Sequence, residues 1–128
     1  MTRPTVLIVD DEPDLLTLLQ MTFARMDLDT ETASTLVEAR QALSRQTPHL
    51  CLTDMKLPDG NGLDLIAEIQ QKYPDLPVAM MTAHGSVESA IEALKLGAFD
   101  FVSKPVALDR LRDLVTQALK VNAVADVQ

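Results

Sequence analysis

Polar residues stand at the ends of separate apolar runs in this sequence. Asp10 and Asp11 follow TVLIV, Asp54 follows LCLT, Thr82 closes VAMMT, and Lys104 lies just past FDFV. If the runs are parallel strands, their carboxyl ends gather three carboxylates, a hydroxyl and an ammonium at one edge of a sheet. Carboxylates at such short distances repel one another unless a cation lies among them. The pattern therefore predicts a divalent metal beside an activated aspartate, an arrangement suited to accepting a phosphoryl group.

Magnesium is the cation that this set of residues favours. It prefers an oxygen octahedron and usually keeps several waters, so two or three protein ligands suffice. The carboxylates of Asp11 and Asp54 and the backbone carbonyl of Met55 would supply them. Asp10 would then hydrogen-bond a water ligand of the metal, or position Asp11, without having to contact the metal directly.

Asp54 is the candidate nucleophile of the site. Its carboxylate would attack a phosphoryl group and form an acyl phosphate. Lys104 and the metal would neutralise charge on the three transferring oxygens, which is the main requirement of phosphoryl transfer. Thr82 would hydrogen-bond a phosphoryl oxygen once that oxygen is present.

The elements that position these residues alternate regularly along the chain. Short apolar runs predict strands over 5–9, 28–33, 50–53, 78–82 and 99–102, and a helical pattern follows each of them. A capping box at Thr35 and Glu38 opens the second helix, residues 55–62 read as a loop, and Gly97 ends the fourth helix. Strict alternation predicts an α/β fold with a parallel sheet covered by helices on both faces. Ligands of such sheets bind at the carboxyl edge, near the switch point between the first and third strands.

Composition narrows the class of protein. The chain has 128 residues, enough for one domain with a real core, and 47% of them are apolar. With 3% aromatic residues and a net charge of −8, direct nucleic acid binding by this segment is disfavoured. Cys51, the single cysteine, lies in an apolar run and reads as a core residue. Neither a signal peptide nor an apolar stretch of the ~20 residues that span a membrane is present, so we expect a cytoplasmic domain.

Several motifs together resemble a known family. The segments are IVDDEP, LTDMKLPDGNGLDL and VAMMTAHGSVESAIEALKLGAFDFVSKP. They resemble the receiver domain of two-component response regulators over residues 5 to about 120, and among these the NtrC-like subgroup that activates sigma-54 transcription. The resemblance implies the flavodoxin-like (βα)5 receiver fold, with a five-stranded parallel sheet of order 2-1-3-4-5.

The same resemblance assigns roles to individual residues. It implies Asp54 as the phosphoacceptor, with a magnesium site at Asp10, Asp11 and the Met55 carbonyl and with Lys104 as the partner of the phosphate. Thr82 and Phe101 would be the pair that rearranges on phosphorylation, and a cis bond would precede Pro105. Lys56, Ala83 and His84 would lie at the rim, where they affect the water that hydrolyses the acyl phosphate.

Partners and further domains are also implied by the resemblance. We expect residues 1–120 to form the receiver domain and 121–128 to begin a linker to an ATPase and a DNA-binding domain. The phosphoryl donor would be a sensor histidine kinase, and the receiver would form a homodimer. Such a domain promotes its own phosphorylation and dephosphorylation but is not an enzyme for an external substrate.

Two other classes of protein compete with this interpretation. An aspartate-nucleophile phosphatase needs a second Asp two residues after the first, but Lys56 follows Asp54 and Glu12 follows Asp10 at that spacing. An FMN electron carrier needs a Ser/Thr/Gly-rich phosphate loop after the first strand, where this chain has Asp-Asp-Glu-Pro. Both classes are therefore disfavoured.

Overall fold

The structure is a computed structural model that describes residues 3–83 and 86–127. Its strands are β1 (Thr5–Val9), β2 (Asp29–Ala33), β3 (Leu50–Asp54), β4 (Lys56–Leu57), β5 (Gly60–Asn61), β6 (Val78–Thr82) and β7 (Asp100–Ser103). Its helices are α1 (Pro13–Ala24), α2 (Leu36–Arg45), α3 (Gly62–Lys72), α4 (Val87–Leu96) and α5 (Leu108–Val127).

Five of the strands form one parallel sheet in the order β2-β1-β3-β6-β7. Counting only these five, this is the predicted order 2-1-3-4-5, and the predicted fold is confirmed. Strand β2 lies on one side of β1 and the later strands lie on the other, so the order of strand addition reverses between β1 and β3. The register of these two parallel strands pairs Val9 with Thr53. The residues that follow these two positions, Asp10 and Asp54, therefore meet at the predicted switch point.

Alternation along the strands divides the core into two halves. In β1, Val6 and Ile8 face the half covered by α1 and α5, whereas Leu7 and Val9 face the half covered by α2, α3 and α4. All four side chains are at most 1% exposed, because a parallel sheet of this kind is covered on both faces. Cys51 is also fully buried, as predicted for a core residue, and this burial raises the pKa of its thiol to about 12.

The predicted loop after β3 contains a small antiparallel hairpin of β4 and β5. Its turn residue Asp59 accepts hydrogen bonds from the backbone N–H groups of Leu36 (2.8 Å) and Val37 (3.1 Å). These bonds, the Leu36 bond first, hold the pKa of Asp59 below its usual range. The Asp59 carboxylate therefore satisfies free N–H groups at the amino end of α2, and it connects the loop beside Asp54 to that helix.

Helix ends follow their sequence signals closely. The Thr35 side chain accepts from the N–H of Glu38 (3.0 Å), as the capping box predicts, while the Glu38 carboxylate accepts from Ser34 (2.8 Å). Helix α4 ends at Gly97 with φ +120°, a left-handed conformation that glycine adopts without strain. Helix α5 continues to Val127, through the segment predicted to begin a linker.

Three strands differ by one residue from the prediction: β2 begins at Asp29 instead of Leu28, β3 includes Asp54 where 50–53 was predicted, and β7 covers Asp100–Ser103 instead of 99–102. Over the residues that the structure describes, none of the helices has the length and apolarity required to cross a membrane.

Candidate functional site

The site residues are positioned by the carboxyl ends of four neighbouring strands. Asp54 ends β3 opposite Met81 of β6, and Thr82 ends β6 opposite Ser103 of β7. Lys104 directly follows β7, and its backbone N–H donates to the Thr82 carbonyl (2.7 Å). In-register parallel pairing therefore brings residues that are far apart in sequence to one edge of the sheet.

The Lys104 ammonium is the centre of the site. Its Nζ lies 2.9 Å from Asp10 Oδ2, 3.0 Å from Glu12 Oε1 and 3.0 Å from Asp54 Oδ2. The contacts with Glu12 and Asp54 are hydrogen bonds, whereas the contact with Asp10 is an ion pair. The Lys104–Pro105 peptide bond is cis, as the family resemblance implies.

Asp10 is the most deeply buried of these carboxylates, with no solvent exposure. Its Oδ1 accepts a hydrogen bond from the Glu12 N–H (2.8 Å), which fixes the start of the loop after β1. Its Oδ2 contacts Lys104 as an ion pair, but it receives no hydrogen bond within the part of the chain that the structure describes. A buried carboxylate oxygen of this kind has spare capacity for a cation or a ligand water.

The acidic residue that joins this cluster is Glu12, whereas Asp11 was predicted. Oxygen atoms of Asp10, Glu12 and Asp54 lie within 4.8 Å of one another, a grouping able to hold a metal ion. Asp11 is exposed and does not belong to that group. The acidic run of residues 10–12 predicts carboxylates at this edge of the sheet, but it does not specify which side chains reach the pocket. The role of Asp11 as a metal ligand stays a prediction.

Backbone groups complete the surroundings of Asp54. Its Oδ1 accepts from the Met55 N–H (2.7 Å), and the Met55 carbonyl accepts from the Gly62 N–H (2.6 Å). A side chain at position 62 would collide with the backbone carbonyl oxygen of Asp54, so this close approach requires glycine. A carbonyl oxygen has two lone pairs, so the Met55 carbonyl keeps one for the predicted metal.

Burial and charge act in opposite directions on the two central groups. Burial raises the pKa of Asp54 and the Asp10 charge adds to this, while hydrogen bonds from Lys104 and Met55 oppose it; the net pKa is raised. Burial lowers the pKa of Lys104, but the contacts of its ammonium with Asp10, Asp54 and Glu12 outweigh this effect and raise the pKa above its ordinary value of 10.5. The lysine therefore stays charged, and the carboxylate beside it is less stable as an anion than a solvated one.

The remaining predicted site residues surround this centre. Thr82 is 1% exposed, and its hydroxyl donates a long hydrogen bond to the Val102 carbonyl (3.4 Å) in the adjacent strand. Phe101 is partly buried in β7, Lys56 and Ala83 are exposed, and His84 lies outside the described residues. Glu12, Asp59 and Gly62 contribute to the site or its supports although they were not among the predicted site residues.

The donor set fits a hard divalent cation and a phosphoryl group. Carboxylate and carbonyl oxygens are the ligands that magnesium prefers, and Asp10, Asp54 and Met55 present them from two adjacent loops. An oxygen of the Asp54 carboxylate lies 3.0 Å from the Lys104 ammonium. This pairing places positive charge where a transferring phosphoryl group would develop negative charge.

Comparison with known proteins identifies the family. The response regulator receiver domain pattern matches residues 6–116. Over 120 residues, the chain is 59% identical to the response regulator protein PilR of Pseudomonas aeruginosa, covering 94% of this chain and 27% of PilR. It is 36% identical to the DNA-binding transcriptional regulator NtrC of Escherichia coli over 93% of this chain and 25% of NtrC. The chain thus spans about a quarter of the length of these curated relatives.

Solved structures agree with these sequence matches. The receiver domain of NtrX from Brucella abortus is 36% identical and superimposes with a TM-score of 0.85 over 90% of this chain and 98% of that one. A response regulator receiver domain protein from Clostridium thermocellum, 28% identical, gives a TM-score of 0.88 over 95% of this chain and 98% of that chain. The chain belongs to the response regulator receiver domain family, with its relatives in the NtrC-like subgroup.

Proposed function

We propose that this domain accepts a phosphoryl group from a sensor histidine kinase onto Asp54, with Mg²⁺ as cofactor. The observation that supports this most strongly is the contact of Asp54 Oδ2 with Lys104 Nζ (3.0 Å) at the switch point of the sheet, beside the fully buried Asp10. A bond forms between an Asp54 oxygen and phosphorus while the bond from the donor's histidine nitrogen to phosphorus breaks. The nitrogen keeps the electron pair and takes up a proton.

Each protein group has a defined task in this transfer. The Lys104 ammonium, which contacts Asp54, pairs with an oxygen of the incoming group, and the Thr82 hydroxyl exchanges its long bond to Val102 for a bond to a phosphoryl oxygen. Asp10, Asp11, Asp54 and the Met55 carbonyl would hold magnesium, which neutralises charge on the transferring oxygens when bound.

The wider role follows from the relatives. PilR is named as a response regulator and NtrC as a DNA-binding transcriptional regulator. From the resemblance to the NtrC-like subgroup, we propose that this receiver controls sigma-54-dependent transcription, with type IV pilus genes as its target. ATPase and DNA-binding domains of a longer protein would deliver that output in the cytoplasm. The domain turns over no external substrate; steady release of phosphate from an added phosphomonoester would contradict this.

Magnesium should stabilise the metal-free protein. The cation relieves the repulsion among the clustered carboxylates and binds only the folded state, so millimolar magnesium should raise the melting temperature. Thermal melts with and without magnesium measure the effect. An unchanged melting temperature in the wild type would count against the site, and an equal increase in Asp11→Ala would exclude Asp11 as a ligand.

Phosphorylation should change the face formed by α4, β7 and α5. When Thr82 turns toward the phosphoryl group, it vacates space into which Phe101 can move; Phe101 lacks a hydroxyl, so its inward position is already populated before phosphorylation. Beryllofluoride with magnesium, a mimic of the phosphoryl group, should shift amide NMR signals of these elements. Changes confined to the face around 35–45 would refute this route.

The same face is where we place the homodimer. Val87, Ile91 and Leu94, spaced to lie on one face of α4, are 65%, 47% and 42% exposed, and Phe99, which directly precedes β7, is 38% exposed. Solution mass with and without beryllofluoride and magnesium tests dimer formation. A mass that stays monomeric at all concentrations would contradict it.

The lifetime of the acyl phosphate should depend on the rim. Lys56 is exposed two residues after Asp54, where its side chain can hydrogen-bond the phosphoryl group and hinder water. We expect Lys56→Ala, and likewise His84→Ala, to change the dephosphorylation rate several-fold, equivalent to about 1 kcal/mol, without abolishing phosphorylation. Small Ala83 leaves the group reachable, so persistence should be moderate. Phosphate loss from isolated phosphorylated protein gives the rate, and wild-type rates in both variants would exclude rim control.

A further inference from the structure

The side chain of Glu12 does not make the contact expected of a residue that precedes a helix. It is the N-cap of α1, but its carboxylate makes no capping hydrogen bond to that helix. An N-cap side chain commonly accepts from the second or third N–H of its own helix. Instead, Glu12 Oε1 contacts Lys104 Nζ at 3.0 Å, from 92 residues away in the chain.

The position of Glu12 is fixed by the site itself. Asp10 Oδ1 holds the Glu12 N–H (2.8 Å), and Asp10 Oδ2 and Glu12 Oε1 both contact Lys104 Nζ, so the three residues form a closed ring. With Asp54 as the third contact, three carboxylates surround the ammonium: Glu12 and Asp54 accept hydrogen bonds from it and Asp10 forms an ion pair. A phosphoryl oxygen that pairs with Lys104 therefore has to compete with these carboxylates for the ammonium.

Glu12 is the contact that Lys104 can lose most easily. Its side chain is 60% exposed, whereas the side chains of Asp10 and Asp54 are 0% and 12% exposed. A solvated carboxylate loses little when its ion pair opens, but a buried one would be left without a compensating charge.

We infer that Glu12 is a releasable latch: it holds the Lys104 ammonium against the acceptor carboxylate in the unphosphorylated domain and lets it go when the phosphoryl group arrives. This rests on the proposed function, and Glu12 acts as a positioning residue through Lys104. Its negative charge also repels an anionic phosphoryl donor. The latch should therefore restrain Lys104 in the resting state and slow phosphorylation.

The resting state can be tested without any metal or donor. NMR signals of the Lys104 side-chain ε-methylene group should show increased mobility in Glu12→Gln and more so in Glu12→Ala, because the amide keeps one acceptor and alanine keeps none. Asp14→Asn is the matched control, since it removes the same charge from an exposed residue in the first turn of α1. Unchanged Lys104 signals in both Glu12 variants, or an equal change in Asp14→Asn, would overturn the latch.

The kinetic arm measures phosphorylation by acetyl phosphate at saturating magnesium. We expect Glu12→Gln to react about three- to fivefold faster than the wild type, and Asp14→Asn to react at a nearly unchanged rate. An equal or slower rate in Glu12→Gln would overturn the latch as a control on transfer. If the wild type itself is never phosphorylated, the proposed function fails, while the NMR comparison still decides whether Glu12 restrains Lys104.

Discussion

Asp54→Asn should lose all covalent phosphorylation while keeping the fold. The amide is nearly isosteric with the carboxylate, but it cannot form the acyl phosphate. After incubation with acetyl phosphate or a cognate kinase, the wild type should show the mass of one added phosphoryl group, and the variant should show none. An unchanged mass gain in Asp54→Asn would place the acceptor elsewhere.

The same variant should be less sensitive to pH than the wild type. The pKa of Asp54 is raised in the folded state, so its contribution to stability is present below the ordinary carboxyl value of 3.8 and is lost as pH rises through the folded pKa. Metal-free Asp54→Asn should therefore lose less stability than the wild type as pH rises from about 4 toward neutrality. Denaturant melts at several pH values measure the difference, and parallel profiles would contradict this account of Asp54.

Lys104→Met should have the largest effect on stability. It leaves the buried Asp10 and Asp54 without their cation, so we expect a loss of about 2–3 kcal/mol at neutral pH; a fully buried pair costs ~3–5 kcal/mol to break. The raised pKa of Lys104 means that its stabilising charge is fully present below its ordinary value of 10.5 and is lost as pH rises through the folded pKa. Phosphorylation should also slow strongly, because the ammonium that pairs with the transferring oxygens is gone.

A double variant provides the control for this prediction. Adding Asp54→Asn to Lys104→Met removes one of the stranded charges, so part of the lost stability should return. Denaturant unfolding of the wild type, both single variants and the double variant gives the coupling. Strictly additive losses would mean that Lys104 and Asp54 do not stabilise each other in solution.

Most of the site residues could be predicted because they stand at the ends of strands, and the strand ends can be recognised in the sequence. The apolar runs before Asp10, Asp54 and Thr82 are short, strongly β-forming and separated by helical patterns, so parallel pairing at one edge is nearly the sole arrangement available. Lys104 followed in the same way from the last run. The order of the strands and the cis bond before Pro105 came from the family resemblance, because nothing local in the sequence specifies them.

The parts that sequence did not predict depend on backbone direction in loops. Asp11 and Glu12 are equally acidic neighbours, and the loop backbone, held by the Asp10 bond to the Glu12 N–H, decides that Glu12 turns toward Lys104. Asp59 lies in the loop predicted over residues 55–62, but its bonds to Leu36 and Val37 join segments 22 or more residues apart. Contacts of that range depend on the assembled fold, so local patterns carry no signal of them.

The most direct test of the central claim is to locate the phosphoryl group in the wild-type protein. Borohydride reduces an aspartyl phosphate to homoserine, so peptide mapping after phosphorylation and reduction reports which aspartate carried the group. We predict homoserine at position 54 and at no other aspartate, with formation that depends on magnesium. Homoserine at Asp10 or Asp11, or its absence from a protein that has gained the phosphoryl mass, would contradict the assignment of Asp54 as the acceptor.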